Sequence, residues 1–204
     1  MNNNSNIEYI DTNIVENDIN GTQNDLQVAT DNQNSTKFDL KNKKVNLNAA
    51  KSDLKIAKSA LFEHKSAEFS DCNISDIPKH CMALCKGNSV IVDDKHGIRP
   101  MLDFITKQWD LTGYSVADIV VGKAVATLFV YSKIKAVYAH VLSKPALEYL
   151  NAHDIEVEYG TLVDNISNRA GDGICPMELC VANIDDANKA YFALKNKVEQ
   201  MMKK

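Results

Sequence analysis

The residues that most invite chemistry in this 204-residue chain form one short block, Asn168-Arg169-Ala170-Gly171-Asp172-Gly173-Ile174-Cys175-Pro176-Met177-Glu178. Gly171 and Gly173 permit a loop of unusual dihedrals that brings backbone close to a ligand. Cys175, directly before a proline that suits a helix start, stands at the positive end of a helix dipole. That position lowers a thiol pKa and favours the thiolate. First-turn amides can hold an anion, and Arg169 offers a fork of donors. Glu178 falls in the same first turn, as ligand-binding group or as helix cap. The plainer reading is a glycine-rich turn with a buried capping cysteine.

A second block, Val121-Gly122-Lys123-Ala124, places a lysine in an almost wholly apolar stretch. Such a lysine snorkels, pairs or does chemistry. Asp118, five residues earlier, is its candidate acid/base partner or orienter. A third, Leu142-Ser143-Lys144-Pro145, joins a strand end to a helix start, where ligands bind in open α/β sheets. Ser143 is equally a plain N-cap.

The other thiols and imidazoles are weaker. Cys81 and Cys85 share a strand face but stand ~13 Å apart by strand rise. Cys175 and Cys180 fall on different helix faces, and the five histidines are scattered. A metal protein built from His80, Cys81, Cys85 and Cys175 would need assembly from distant parts, so no metal is expected. No Walker loop, Gly-x-Gly-x-x-Gly or Gly-x-Ser-x-Gly occurs, and no cofactor is expected.

The elements that position these blocks follow from periodicity. Ala50, Leu54, Ala57, Leu61 and Phe62 fall at helical spacing through Ala49–His64, and residues 66–79 form a connector. His80–Lys86 and Ser89–Asp94 read as a hairpin about Gly87-Asn88. Pro100 opens a helix carrying Met101, Leu102, Phe104 and Ile105. Ser115 is expected to cap a helix over Val116–Tyr131, with Asp118 completing a capping-box-like pattern. Ala136–Leu142 reads as an interior strand, Ala146–Ala152 as a helix and Ile155–Tyr159 as a short strand. Residues 160–175 read as irregular. Pro176 starts a short helix to about Ala182, and Asp185 is expected to cap a final helix ending near Met202. The order predicts a three-layer α/β/α sandwich with a mixed sheet.

Composition divides the chain. Residues 1–50 hold 13 Asn, no Pro and no Cys, and contribute −3 of the net charge of −4. This stretch buries too little to offset its backbone entropy, and residues 1–48 are expected to form a disordered arm before a domain at 49–204. The nearly neutral remainder has no basic run, which argues against nucleic acid as partner. The longest uncharged apolar run, Ala124–Tyr131, is far short of the ~20 residues of a membrane span. The amino terminus has neither a basic nor an apolar leader segment, so a cytoplasmic location with free thiols is expected.

Four stretches in register carry a family resemblance: Gly97-Ile98-Arg99-Pro100-Met101-Leu102, Ser115 to Ala124, Val137 to Ser143, and Gly173-Ile174-Cys175-Pro176-Met177-Glu178. From about Ala49 to Lys204 the chain resembles the bacterial and archaeal domain-of-unknown-function family 1893. The resemblance implies a cytidine-deaminase-like fold and no settled activity. Zinc deaminases need a His or Cys with a nearby Glu on one helix and Pro-Cys-x-x-Cys on the next. The expected first helix, Val116–Tyr131, contains no His, Cys or Glu. The second has Pro145 but Ala146 and Tyr149 where the cysteines belong. The zinc-ligand set is absent.

The leading expectation is a deaminase-like domain that binds a small anionic or nucleotide-like metabolite. In it Cys175 is nucleophile or redox thiol and Asp118 and Lys123 are catalytic. Ser143, Arg169, Gly171, Gly173 and Glu178 bind the ligand. The alternative is a non-catalytic regulatory or oligomerisation domain, such as a homodimer. Convergence of Cys175, Lys123 and Asp118 on one cleft favours catalysis, and separate placement favours a non-catalytic binding module.

Overall fold

The computed structural model describes residues 46–62 and 80–203. The expected arm, apart from its last residues, together with the 66–79 connector and His64, lies outside the described residues. Helix α1 (46–62) begins three residues before its expected start. The hairpin forms as expected, with β1 (Met82–Lys86) and β2 (Ser89–Asp93) antiparallel about Gly87, whose φ is +57°. Helix α2 (Arg99–Thr106) follows, with Pro100 in its first turn.

The expected helix over Val116–Tyr131 is not one element. It divides into β3 (Ser115–Val121) and α3 (Lys123–Tyr131), with Gly122 as the N-cap between them. The physical reason is that a run apolar on all sides has no periodicity to distinguish helix from interior strand. Here β3 is the sheet's central strand, antiparallel to β1 and parallel to β4 (Ala136–Ser143). Ser115 therefore caps nothing: its hydroxyl donates to the Ala50 carbonyl at 2.8 Å and ties α1 to the sheet. Asp118 is a strand residue, opposite Met82 and Ala139.

Helix α4 (Lys144–Ala152) starts at Ser143, whose Oγ accepts from the Ala146 amide at 3.3 Å, so Ser143 is an N-cap. Strand β5 (Glu156–Val163) pairs parallel to β4 and extends four residues past its expected end. Helices α5 (Pro176–Val181) and α6 (Ala187–Met202) close the chain. The cap of α6 is Asp186, accepting from the Lys189 amide at 2.8 Å, rather than the expected Asp185.

The five strands lie in the order β2-β1-β3-β4-β5. One face packs Ala83, Cys85, Ala117, Ala136 and Tyr138 under Leu54, Ala57, Leu61 and Phe62 of α1. The other presents Met82, Leu84, Val116, Val137, Ala139 and Leu142 to the buried sides of α2 through α6. The result is a three-layer α/β/α arrangement with a mixed sheet. Full burial of side chains such as Leu54, Phe129 and Leu150 contributes about 1.5–3 kcal/mol each. Because β3-α3-β4-α4-β5 runs parallel, α3 and α4 both begin at the carboxyl ends of their strands. This is where α/β sheets place ligands.

Candidate functional site

Two clefts hold four of the eight expected site residues, Lys123 and Glu178 in one and Arg169 and Cys175 in the other. The first, of about 570 Å³, is lined by Lys123, Pro145, Tyr149, His153, Glu178 and Asp185, among others. Its Lys123, Glu178 and Asp185 side chains are matched internally, while Glu148 is exposed with no ion pair among the described residues. Glu178 reaches from α5 to the first turn of α3, where its Oε2 accepts from the Lys123 amide at 2.7 Å and its Oε1 from the Ala124 amide at 3.0 Å. A carboxylate at the positive end of a helix satisfies two orphan donors and the dipole together. Burial pushes the Glu178 carboxyl upward in pKa, and the two amide donors oppose that. A Cβ on Gly122 would run into this carboxylate, so any side chain there would have to displace it from the two amides. Lys123 is the first residue of α3 rather than a helix-interior lysine. Its Nζ donates to the Ala182 carbonyl and to Asp185 Oδ1, both at 3.0 Å, and lies 5.6 Å from the centre of the Tyr149 ring. Tyr149 donates to the Asp185 carbonyl at 2.8 Å, and burial pushes its hydroxyl to about 12.

The second cleft, of about 470 Å³, is lined by residues 96–99, by Ser167, Asn168 and Arg169, by Cys175 to Met177, and by Val198, Met201 and Met202 of α6. The glycine-rich block forms a closed loop against it. Ser167 bridges Ile174, the Asn168 amide donates to the Gly173 carbonyl at 2.8 Å, and the Cys175 amide donates to the Ile166 carbonyl at 2.9 Å. Gly171 turns the loop at φ +76°, a region that favours glycine. Gly171 and Gly173 shape this loop without lining the cleft. Asn168 donates to Asp172 at 2.8 Å, while its own side-chain oxygen is buried with no hydrogen-bond partner among the described residues. Arg99 and Arg169 are exposed, and neither makes an ion pair among the described residues.

Cys175 is the half-buried N-cap of α5, with no side-chain capping bond. It shares its cleft with Arg169. Lys123 shares the other cleft with Glu178, and its carboxylate partner is Asp185 rather than the expected Asp118. Asp118 and Ser143 line neither cleft. Asp118 is 7% exposed, accepts from the Val120 amide at 3.1 Å, and is pushed by burial to about 7. Cys175, Lys123 and Asp118 therefore do not meet on one cleft.

One arrangement was missed from the sequence. Cys81 Sγ lies 3.2 Å from Nδ1 of His96, and His96 lines the second cleft. The hairpin register held the signal: Met82 opposite Asp93 puts Cys81 beside the residues that follow β2.

The helix starts do not fit a zinc deaminase. The corrected first helix, α3, still contains no His, Cys or Glu, and Lys123, an ammonium, stands at its start. Helix α4 carries Ala146 and Tyr149. Among the described residues, no group of three or more His, Cys, Asp or Glu is placed to hold a metal ion. None of their helices is long and apolar enough to cross a membrane.

The TM1506 family profile, described as a domain of unknown function (DUF1893), matches residues 73–198, more than half of the chain. The chain belongs to this family. Among solved structures it is similar to the DUF1893 protein of Thermotoga maritima, at 28% identity and a TM-score of 0.54, over 58% of this chain and 80% of that one. It also aligns with a diaminohydroxyphosphoribosylaminopyrimidine deaminase/5-amino-6-(5-phosphoribosylamino)uracil reductase of the same organism. There the identity is 17% and the TM-score 0.31, over 67% of this chain and 40% of that one. So loose a superposition carries no argument about the DUF1893 domain. Curated proteins give no match.

Proposed function

We propose that this DUF1893 chain is a small-anion-binding protein. Its site is the cleft between residues 96–99, the 167–177 loop and the end of α6, and its ligand is a phosphorylated or nucleotide-like metabolite. The observation that carries this reading is that Arg99 and Arg169, both without an ion-pair partner among the described residues, line one cleft with Cys175. Guanidinium forks suit phosphate and carboxylate, and the apolar wall of Met177, Val198 and Met201 suits a flat or aliphatic body. Cys175 adds a thiol within that cleft. We place the domain at 49–204, with a deaminase-like α/β architecture, in the cytoplasm.

Lys123 and Glu178 hold α3 to α5 in this reading, and Asp118 serves the sheet. A three-residue catalytic centre is therefore not part of the proposal. A regulatory or self-associating role has its own support in Leu179, Phe192 and Met202, which expose 60%, 59% and 77% of their surfaces on α5 and α6. Thermal-shift screening of the full chain against nucleotides and phosphorylated metabolites tests the main reading. A rise in Tm abolished by R169A is expected, and no rise across the panel would contradict it. Iodoacetamide kinetics test the thiol: Cys175 is expected to react faster than Cys180, and equal rates remove it from the chemistry.

A further inference from the structure

We propose that Cys81 and His96 form a nucleophile–base pair at the edge of the arginine-lined cleft, taking acyl donors that carry an anionic leaving group. The second element of this rests on the proposed anion site; the pair itself does not.

The backbone of Cys81 is pinned on both sides. Its amide donates to the Asp93 carbonyl at 3.1 Å, and its carbonyl accepts from the Ile119 amide at 3.3 Å. The thiol is thus held at the junction of β1, β2 and β3. The chain leaving β2 then returns His96 to within 3.2 Å of Sγ. His80 Nδ1 lies 2.7 Å from Asp94 Oδ1, which fastens the start of that return. His96 is exposed and Cys81 half-buried, so both are reachable. Arg99 lies three residues beyond His96, on the same cleft as Arg169.

Burial, and the negative charges of Asp118, Asp94 and Asp93, raise the Cys81 thiol above its ordinary value. A thiol kept protonated is a poor nucleophile unless a base takes its proton as it attacks. An imidazole nitrogen in hydrogen-bond contact is that base. Sγ bonds to the acyl carbon as the thiol proton passes to His96 Nδ1. The bond from the acyl carbon to the leaving oxygen breaks, its electron pair departs with the phosphate, and His96 returns the proton to that phosphate. The products are an S-acyl Cys81 and inorganic phosphate, and water then hydrolyses the thioester.

The full chain is treated separately with acetyl phosphate and with iodoacetamide, and modification of each cysteine is followed by peptide mass spectrometry. Iodoacetamide is uncharged and reads the pair alone; acetyl phosphate reads the pair and the arginines. Cys81 is expected to react first with both. H96Q, which keeps a hydrogen-bond acceptor but removes the base, is expected to slow Cys81 by roughly tenfold or more. It should leave Cys180 unchanged, and free imidazole should restore the rate. R99A/R169A is expected to slow acetylation and not alkylation. Alkylation of Cys81 no faster than of Cys180, or unchanged by H96Q, overturns the pair. Acetylation unaffected by R99A/R169A, with the His96 dependence intact, overturns the anionic leaving group and counts against the anion cleft.

Discussion

The two clefts differ in what their charged groups already hold. In the α3–α5 cleft the Glu178 carboxylate sits on two amides of α3, and Lys123 sits on Asp185 and the Ala182 carbonyl. In the cleft of residues 96–99 and 167–177, the guanidinium groups of Arg99 and Arg169 have no ion-pair partner among the described residues. Matched charges hold a structure together, while unmatched exposed ones are available to a ligand. Substitutions in the first cleft should therefore cost stability, and those in the second should cost binding.

The largest expected effect tests the extreme of unmatched charge, Asp118, a buried carboxyl held by backbone amides alone. Unfolded, it loses its proton near 3.8; folded, near 7. As pH rises from about 4 to about 7 the unfolded chain ionises first, so stability falls over that window and levels off above it. The gap corresponds to about 4 kcal/mol at most. D118N should thus be more stable than the parent at pH 8 and nearly equal to it at pH 4 in urea unfolding. A difference independent of pH would remove the buried charge from the account.

Next in size is the matched pair of helices. E178A leaves two amides of α3 without their acceptor and should cost about 2–3 kcal/mol. G122A should cost a comparable amount by displacing the same carboxylate, and should cost little in the E178A background. Additive losses in that double-mutant cycle would show that Gly122 and Glu178 act separately. K123M should cost less, about 1 kcal/mol, because Asp185 is largely solvent-facing.

The same contrast explains what was legible in the sequence. The hairpin about Gly87, helices α1, α2, α4 and α6, and the Ser143 cap follow from local periodicity and turn chemistry, which need no partner to be read. The 115–131 run failed because a segment buried on every side carries no alternation, and only its place between β1 and β4 decides strand over helix. Glu178 was legible as a helix-start acid but not as the anchor of a different helix, since its partners lie 54 and 55 positions away. Arg169 and Cys175 were legible as neighbours because one short loop carries both. Arg99 and His96 join them only through tertiary packing. Cys81 and His96 were within reach, because the hairpin register that Gly87-Asn88 sets already brings residue 81 beside the chain leaving β2.

The most direct test of the central claim is calorimetric titration of a nucleoside monophosphate into the full chain, into R99A/R169A and into K123M. Both arginines are exposed, and their loss should alter stability by no more than about 0.5 kcal/mol. Binding to the parent and to K123M is expected, with its loss in R99A/R169A while the fold stays intact. Binding that survives in R99A/R169A, or that disappears in K123M instead, would place the ligand in the other cleft and contradict the account.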